Sequence, residues 1–293
     1  MADTVWTAGG LRRLSVQVFG DPAGIPVFLL HGTPGSRWGP RPRGPLLHRL
    51  GVRLIAFDRP GYGSSNRLAG RRVADVASDV AAIADKYELE KFAVVGRSGG
   101  GPHALACAAL LPHRTTRAAV LVGLAPPGAD GLDWFDGMAQ SNVIDFTAAA
   151  SGHDPIAARL TAAAESIRAD PASLIDRLQA ELPDSDRRVV ADHGIRSMLL
   201  RNYAEALRIS PDGWIDDVLA FCSPWGFDPA AVGVPVRLWH GESDVFSPAS
   251  HARWLANRIP GATVLVQEGA AHFGALDVLP DILGWLAAGT PRP

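Results

Sequence analysis

Short aliphatic and β-branched runs recur along the chain, at residues 14–19, 26–30, 52–57, 92–95, 118–122, 236–239 and 263–266. Most lack the apolar–polar alternation of a strand with one wet face. They therefore predict strands covered on both sides by helices, as in a parallel sheet. Between the runs the period changes. Val73, Val76, Val80, Ile83 and Ala84 form the stripe of a helix over 73–87, and Leu276, Leu279, Ile282, Leu283 and Leu286 that of a last helix over 275–288. The succession is βαβ, so the fold class is α/β.

The rhythm stops between residues 122 and 236, where no strand pattern occurs. Asp154-Pro155, Asp170-Pro171 and Ser210-Pro211 each place an N-cap residue before a proline at the first helical position, where the missing N–H costs nothing. The interval predicts helices. The chain then divides into a body, 1–126 with 233–293, and a helical cap over 127–232. The cap carries 17 acidic and 8 basic side chains against 13 and 20 in the body, so the two parts attract each other. The excess suits either a solvated acidic surface held onto a basic body or a lid whose negative face disfavours anionic substrates.

With 293 residues, 47% of them apolar, the chain can fill a large core. A net charge of −2 offers no field for nucleic acid or an anionic membrane, so the expected partner is a small molecule. Oligomeric state is not legible. The N-terminus has no apolar h-region and no stretch reaches about 18 uninterrupted apolar residues, which with two cysteines far apart gives a cytoplasmic expectation. Cys107 and Cys222 are expected as buried free thiols, and no metal site is expected.

The run 92–95 leads directly into Gly96-Arg97-Ser98-Gly99-Gly100 and a helix opened by Gly101-Pro102. A G-x-S-x-G string at a strand-to-helix turn is a nucleophile elbow: the serine takes a strained backbone conformation, and small neighbours relieve the crowding. The helix N-terminus then offers free N–H groups to a developing oxyanion. A serine hydroxyl needs a base. Of nine histidines, His272 fits best, in the small-residue turn between the run 263–266 and the last helix, where α/β sheets place their sites. Asp244 follows the run 236–239 and is the preferred orienting carboxylate, with Glu242 its near competitor and Asp133 a distant one. His31-Gly32-Thr33-Pro34-Gly35 follows the run 26–30, and the N–H of Thr33 would join that of Gly99 as the second oxyanion donor.

These segments, with Asp58-Arg59-Pro60-Gly61-Tyr62-Gly63-Ser64-Ser65, resemble the α/β-hydrolase superfamily over nearly the whole chain outside the cap. The resemblance implies an eight-stranded, mostly parallel sheet flanked by helices, a helical cap inserted after the sixth strand, and no cofactor. Asp58 and Arg59 are read as scaffold, paired locally. Within the superfamily the chain resembles the capped group of proline iminopeptidases, epoxide hydrolases, carbon–carbon bond hydrolases and esterases. Epoxide hydrolases carry aspartate where this chain has Ser98, which argues against that reaction. Proline iminopeptidases usually carry tryptophan where this chain has Gly99.

The expected activity is that of a serine hydrolase, carboxylesterase-like, cleaving a small neutral ester, thioester or lactone through Ser98, His272 and Asp244. Alternatives are an aminopeptidase of the proline iminopeptidase type, a carbon–carbon bond hydrolase, or a ligand-sensing protein on the same fold. Trp134 and Trp214 are the expected substrate contacts from the cap, with Phe135, Met138, Phe146, Met198, Leu199 and Phe221 as further wall candidates. Arg97, large for its position, either pairs with a buried acid beneath the turn, the preferred reading, or shapes the site; the sequence leaves both open. Arg37, Arg41 and Arg43 are candidates for a substrate carboxylate, with a solvated surface the commoner fate of such arginines.

Overall fold

The computed structural model describes residues 3–7, 10 and 12–290. Eight strands form one sheet: β1 Asp3–Trp6, β2 Arg13–Gly20, β3 Ile25–Leu30, β4 Val52–Phe57, β5 Phe92–Arg97, β6 Thr115–Leu121, β7 Val236–Gly241 and β8 Thr263–Gln267. Their order across the sheet is β1-β2-β4-β3-β5-β6-β7-β8, with β1–β2 and β2–β4 antiparallel and all other neighbours parallel. The seven runs read from the sequence are all strands.

Central strands behave as their composition requires. Every residue of β3 and β5 is buried. Phe28 and Leu30 pack on one side of the sheet with α2 (Val76–Lys86) and α3 (Gly100–Leu110). Val27 and Leu29 face the other side with α1 (Gly44–Arg49) and, at the end of the chain, the last helix Ala275–Ala288. The edges depart from this rule. In β8 no residue is fully buried and Leu265 is 59% exposed, so its apolar run is not a two-sided core strand. In β1 only Val5 is buried, which leaves too little signal to show in the sequence.

Between β6 and β7 the chain forms six helices: α4 Gln140–Ala150, α5 His153–Ala169, α6 Ala172–Leu178, α7 Asp184–Ala191, α8 His193–Ala206 and α9 Asp212–Phe221. The three expected starts fall within two residues of helix beginnings. Asp170 Oδ1 accepts from the Ala172 amide at 2.9 Å and Ser210 Oγ from that of Asp212 at 3.3 Å, while α5 begins one residue before Asp154. Two helices complete the body, α10 Ala249–Arg258 and α11 Ala275–Ala288. Among the described residues no helix is long and apolar enough to cross a membrane.

The register fixes where the chemistry gathers. Leu30 pairs with Gly96 and Arg97 with Leu121, so the loops leaving β3 and β5 start side by side, while Gly241 beside Gln267 does the same for β7 and β8. All four loops leave the carboxyl ends of parallel strands.

Candidate active site

The turn after β5 has the strain its glycines predict. Ser98 sits at φ 55°, the left-handed region that costs a residue with a Cβ on the order of 1–3 kcal/mol. The turn closes because Gly96 lacks a side chain: a Cβ there would lie 2.0 Å from the carbonyl oxygen of Gly100. Gly99 is equally constrained, since its Cβ would meet Thr33 Oγ1 at 2.3 Å. That near-collision places the loops carrying Thr33 and Gly99 against each other. Neither amide has an acceptor among the described residues.

His272 opens a short 3₁₀ turn, His272–Gly274, directly ahead of α11. Its Nδ1 lies 2.9 Å from Asp244 Oδ2 and 3.1 Å from Oδ1. Asp244 is fixed in turn by the amides of Phe246 at 2.8 Å and Ser247 at 3.1 Å, and His240 Nε2 approaches it at 3.2 Å. Burial pushes the Asp244 carboxyl up, but the facing His272 and the hydrogen bonds from His240 and His272 outweigh it and hold the group below the usual carboxylate range. Asp244 is therefore ionised at neutral pH. With Nδ1 committed to it, Nε2 is the ring nitrogen left for proton transfer. The competing acids Glu242 and Asp133 are both exposed.

Ser98 and His272 line the same cavity of about 120 Å³, together with Gly32, Thr33 and Gly99. Its apolar wall comes from the helices between β6 and β7 through Phe146, Leu174, Trp214, Val218 and Phe221, and from the body through Phe246 and Phe273. Trp214 is thus one of the lining residues. Trp134 is not. Its indole N–H donates to the Ala125 carbonyl at 2.9 Å and its ring packs edge-on against Phe146 and His251, so it backs the wall without forming it. Phe135, Met138, Met198 and Leu199 are likewise absent from the lining.

Two carboxylates from the helical segment act on the site, and nothing local in the sequence marks either. Asp186 of α7 accepts from the amides of His272 at 3.0 Å and Phe273 at 2.8 Å, holding the histidine turn. Asp217 of α9 is wholly buried and accepts from Thr33 Oγ1 at 2.6 Å, Tyr62 OH at 2.8 Å and Arg71 at 2.6 Å, with Arg59 also bound to it. Burial raises the Asp217 carboxyl, and Arg59 and Arg71 overcome that and hold it well below its ordinary value.

This network corrects two expectations. Asp58 and Arg59 do not pair with each other: Asp58 takes Arg37, and Arg59 reaches Asp217. Arg37 also pairs with Glu205 at 2.8 Å, and Arg41 lies 3.6 Å over the Phe19 ring, so neither these nor Arg43 lines the cavity. Arg97 departs from expectation in the opposite sense. It is buried and lines the cavity, yet it has no ion pair with any described acid.

The sequence profile of the alpha/beta hydrolase fold matches residues 25–277. The chain is 29% identical over 290 residues to a non-heme chloroperoxidase of Streptomyces lividans, covering 96% of each chain. It is 37% identical over 112 residues to epoxide hydrolase B of Mycobacterium tuberculosis, covering 37% of this chain and 31% of that protein, so this likeness spans under a third of the relative. Among solved structures, an alpha/beta hydrolase fold protein from Nakamurella multipartita superposes with a TM-score of 0.70 at 22% identity, covering 99% of this chain and 100% of the other. The profile match across most of the chain, with the strand order described above, establishes that the protein belongs to the α/β-hydrolase fold family.

Proposed function

We propose that the protein is a serine hydrolase acting on a small carboxylic ester, thioester or lactone through an acyl-enzyme on Ser98. The observation that carries this reading is that one cavity is lined both by a serine at φ 55° and by a histidine whose Nδ1 is held by a buried, ionised aspartate. Ser98 Oγ attacks the carbonyl carbon and its proton passes to His272 Nε2. The oxyanion is received by the amides of Thr33 and Gly99, both free of other acceptors among the described residues. As the tetrahedral centre collapses, His272 returns the proton to the departing alcohol or thiol. Water, deprotonated by the same nitrogen, then releases the acid and restores Ser98.

In this reading residues 127–232 act as a cap over the body formed by 1–126 and 233–293. Trp214, Phe146 and Phe221 would supply the walls that select substrate, and Asp186 and Asp217 would align the histidine turn and the oxyanion loop. The unpaired thiols of Cys107 and Cys222 suit a reducing compartment such as the cytoplasm. Ser98 stands where epoxide hydrolases carry aspartate, so the likeness to one of them is not extended to its reaction.

The test is a hydrolysis screen with p-nitrophenyl esters of increasing acyl length. Ser98→Ala should remove turnover while leaving the fold unchanged, because the hydroxyl supplies the attacking oxygen and little packing. The baseline is uncatalysed hydrolysis, since the oxyanion donors alone retain some rate. Parent-like turnover by the variant would exclude the mechanism.

A further inference from the structure

Arginine is rarely buried without a partner, because removing its charge from water costs several kcal/mol that only an opposite charge or a full set of acceptors recovers. This chain follows the rule at Arg37, Arg59 and Arg71, each buried and each facing a carboxylate. Arg97 breaks it. The residue is 8% exposed, immediately precedes Ser98, and has no hydrogen bond or ion pair from its guanidinium among the described residues. Its Nη2 lies close to Gly32 in the oxyanion loop, 3.7 Å from where a Cβ on that glycine would be.

The groups around Arg97 have other partners or none among the described residues. Tyr203 of α8, 6% exposed, also lines the cavity, and its hydroxyl has no hydrogen-bond partner among the described residues. The carboxylate whose field reaches Arg97 is that of Asp186, but its oxygens are engaged by the amides of His272 and Phe273. Farther out, the lining Asp145 is paired with Arg159 at 2.8 Å, and Arg177 adds a second cation at the wall. Burial lowers the guanidinium below its ordinary value, opposed by Tyr203 and Asp186, and leaves it a cation at neutral pH.

We propose that Arg97, with the Tyr203 hydroxyl, binds a carboxylate carried by the substrate. The proposal rests on the hydrolase reading and narrows it: the ester, thioester or lactone bears an anion, on its acyl or its leaving-group side. It reverses the neutral substrate expected from the sequence. Of the acids of the helical segment, Glu205, Asp216 and Asp217 are each neutralised by arginines of the body.

The experiment compares kcat/KM for mono-p-nitrophenyl glutarate against p-nitrophenyl hexanoate, and for 4-acetoxybenzoate against 4-acetoxybenzamide, each corrected for its spontaneous hydrolysis. The first pair reads an acyl-side anion and the second a leaving-group anion. The expected result is a preference of at least tenfold for the anionic member of one pair, reduced at least tenfold by Arg97→Met and partly kept by Arg97→Lys. Equal rates within both pairs, or a preference that survives Arg97→Met, would overturn the proposal while leaving the hydrolase reading in place if the hexanoate ester is cleaved through Ser98. Should no ester be cleaved, calorimetry of glutarate binding to Ser98→Ala decides: binding weakened at least tenfold by added Arg97→Met supports the anion site, and no binding refutes it. If Arg97→Met does not fold, binding of glutarate but not neutral glutaramide to the Ser98→Ala protein supports the site, and equal binding refutes it.

Discussion

The seam between the helical segment and the body and the cavity beside it treat charge in opposite ways. Along the seam arginines and acids are matched: Arg59 and Arg71 on Asp217, Arg67 on Asp216, Arg37 on Asp58 and Glu205. In the cavity Arg97 and Tyr203 keep polar atoms without partners among the described residues, and Ser98 keeps a strained backbone. What separates site from scaffold here is the buried cation without a counter-charge, since uncharged buried atoms of Ser173, Trp225 and Ser250 also lack partners among the described residues and Glu88 and Val122 share the positive φ of Ser98.

The largest expected effect tests whether Asp244 belongs to the site. Asp244→Asn should lower kcat on the order of 10⁴, the loss known for this change in a serine protease, by depriving His272 of the carboxylate that fixes its tautomer. Glu242→Gln, at an exposed position, should stay within a few-fold of the parent. Ester kinetics on both variants check this, and the reverse ranking would transfer the role to Glu242.

A second comparison uses stability. Asp217→Asn leaves Arg59 and Arg71 without their anion and should cost about 3–5 kcal/mol by denaturant titration. Arg97→Met removes a buried cation that has no partner to strand, so it should cost less than about 1 kcal/mol or stabilise. Similar losses at both positions would erase the distinction between seam and cavity.

Trp214→Ala should shift acyl-chain preference about tenfold, because Trp214 lines the cavity, whereas Trp134→Ala should shift it less, because Trp134 packs behind Phe146. p-Nitrophenyl acetate is the short reference, and a larger shift from Trp134 would contradict the wall as described.

A last, pH-dependent effect on stability concerns His103, which burial and the nearby Arg59 push down to about 4 from an ordinary 6.5. Between those values the unfolded chain binds a proton that the folded one does not. This group's contribution is therefore full above about pH 6.5 and lost as pH falls toward 4, at up to about 1.4 kcal/mol per pH unit. His103→Gln lacks it, so the stability gap between parent and variant should narrow from pH 7 to pH 4.5 in thermal or urea melts. A constant gap would place the His103 pKa elsewhere.

What the sequence made legible is local. A strand, a glycine-rich turn and a helix are contiguous, so the loops bearing Ser98, Thr33, Asp244 and His272 could be found without knowing the sheet order. The proline-marked helix starts were found for the same reason. β1 escaped because a single buried residue, Val5, carries its pattern, and β8 was misjudged as covered because an apolar run does not show whether a strand lies at an edge. Ion pairing is wholly non-local. Arg59 meets Asp217 158 positions away, and Asp186 reaches the His272 amide across 86, so neither pairing leaves a trace in its neighbourhood. The ion pair preferred for Arg97 fails for that reason: only the packed structure shows that no described acid reaches it and that it lines the cavity instead.

The central claim is that Ser98 is the nucleophile of this cavity. Treating the protein with a fluorophosphonate and mapping the adduct by peptide mass spectrometry tests it most directly. The account predicts one adduct, on the peptide containing Ser98, formed in step with loss of esterase activity, slowed in Asp244→Asn and absent in Ser98→Ala. An unmodified Ser98 in protein that still turns over ester, or inactivation through an adduct on another residue, would contradict it.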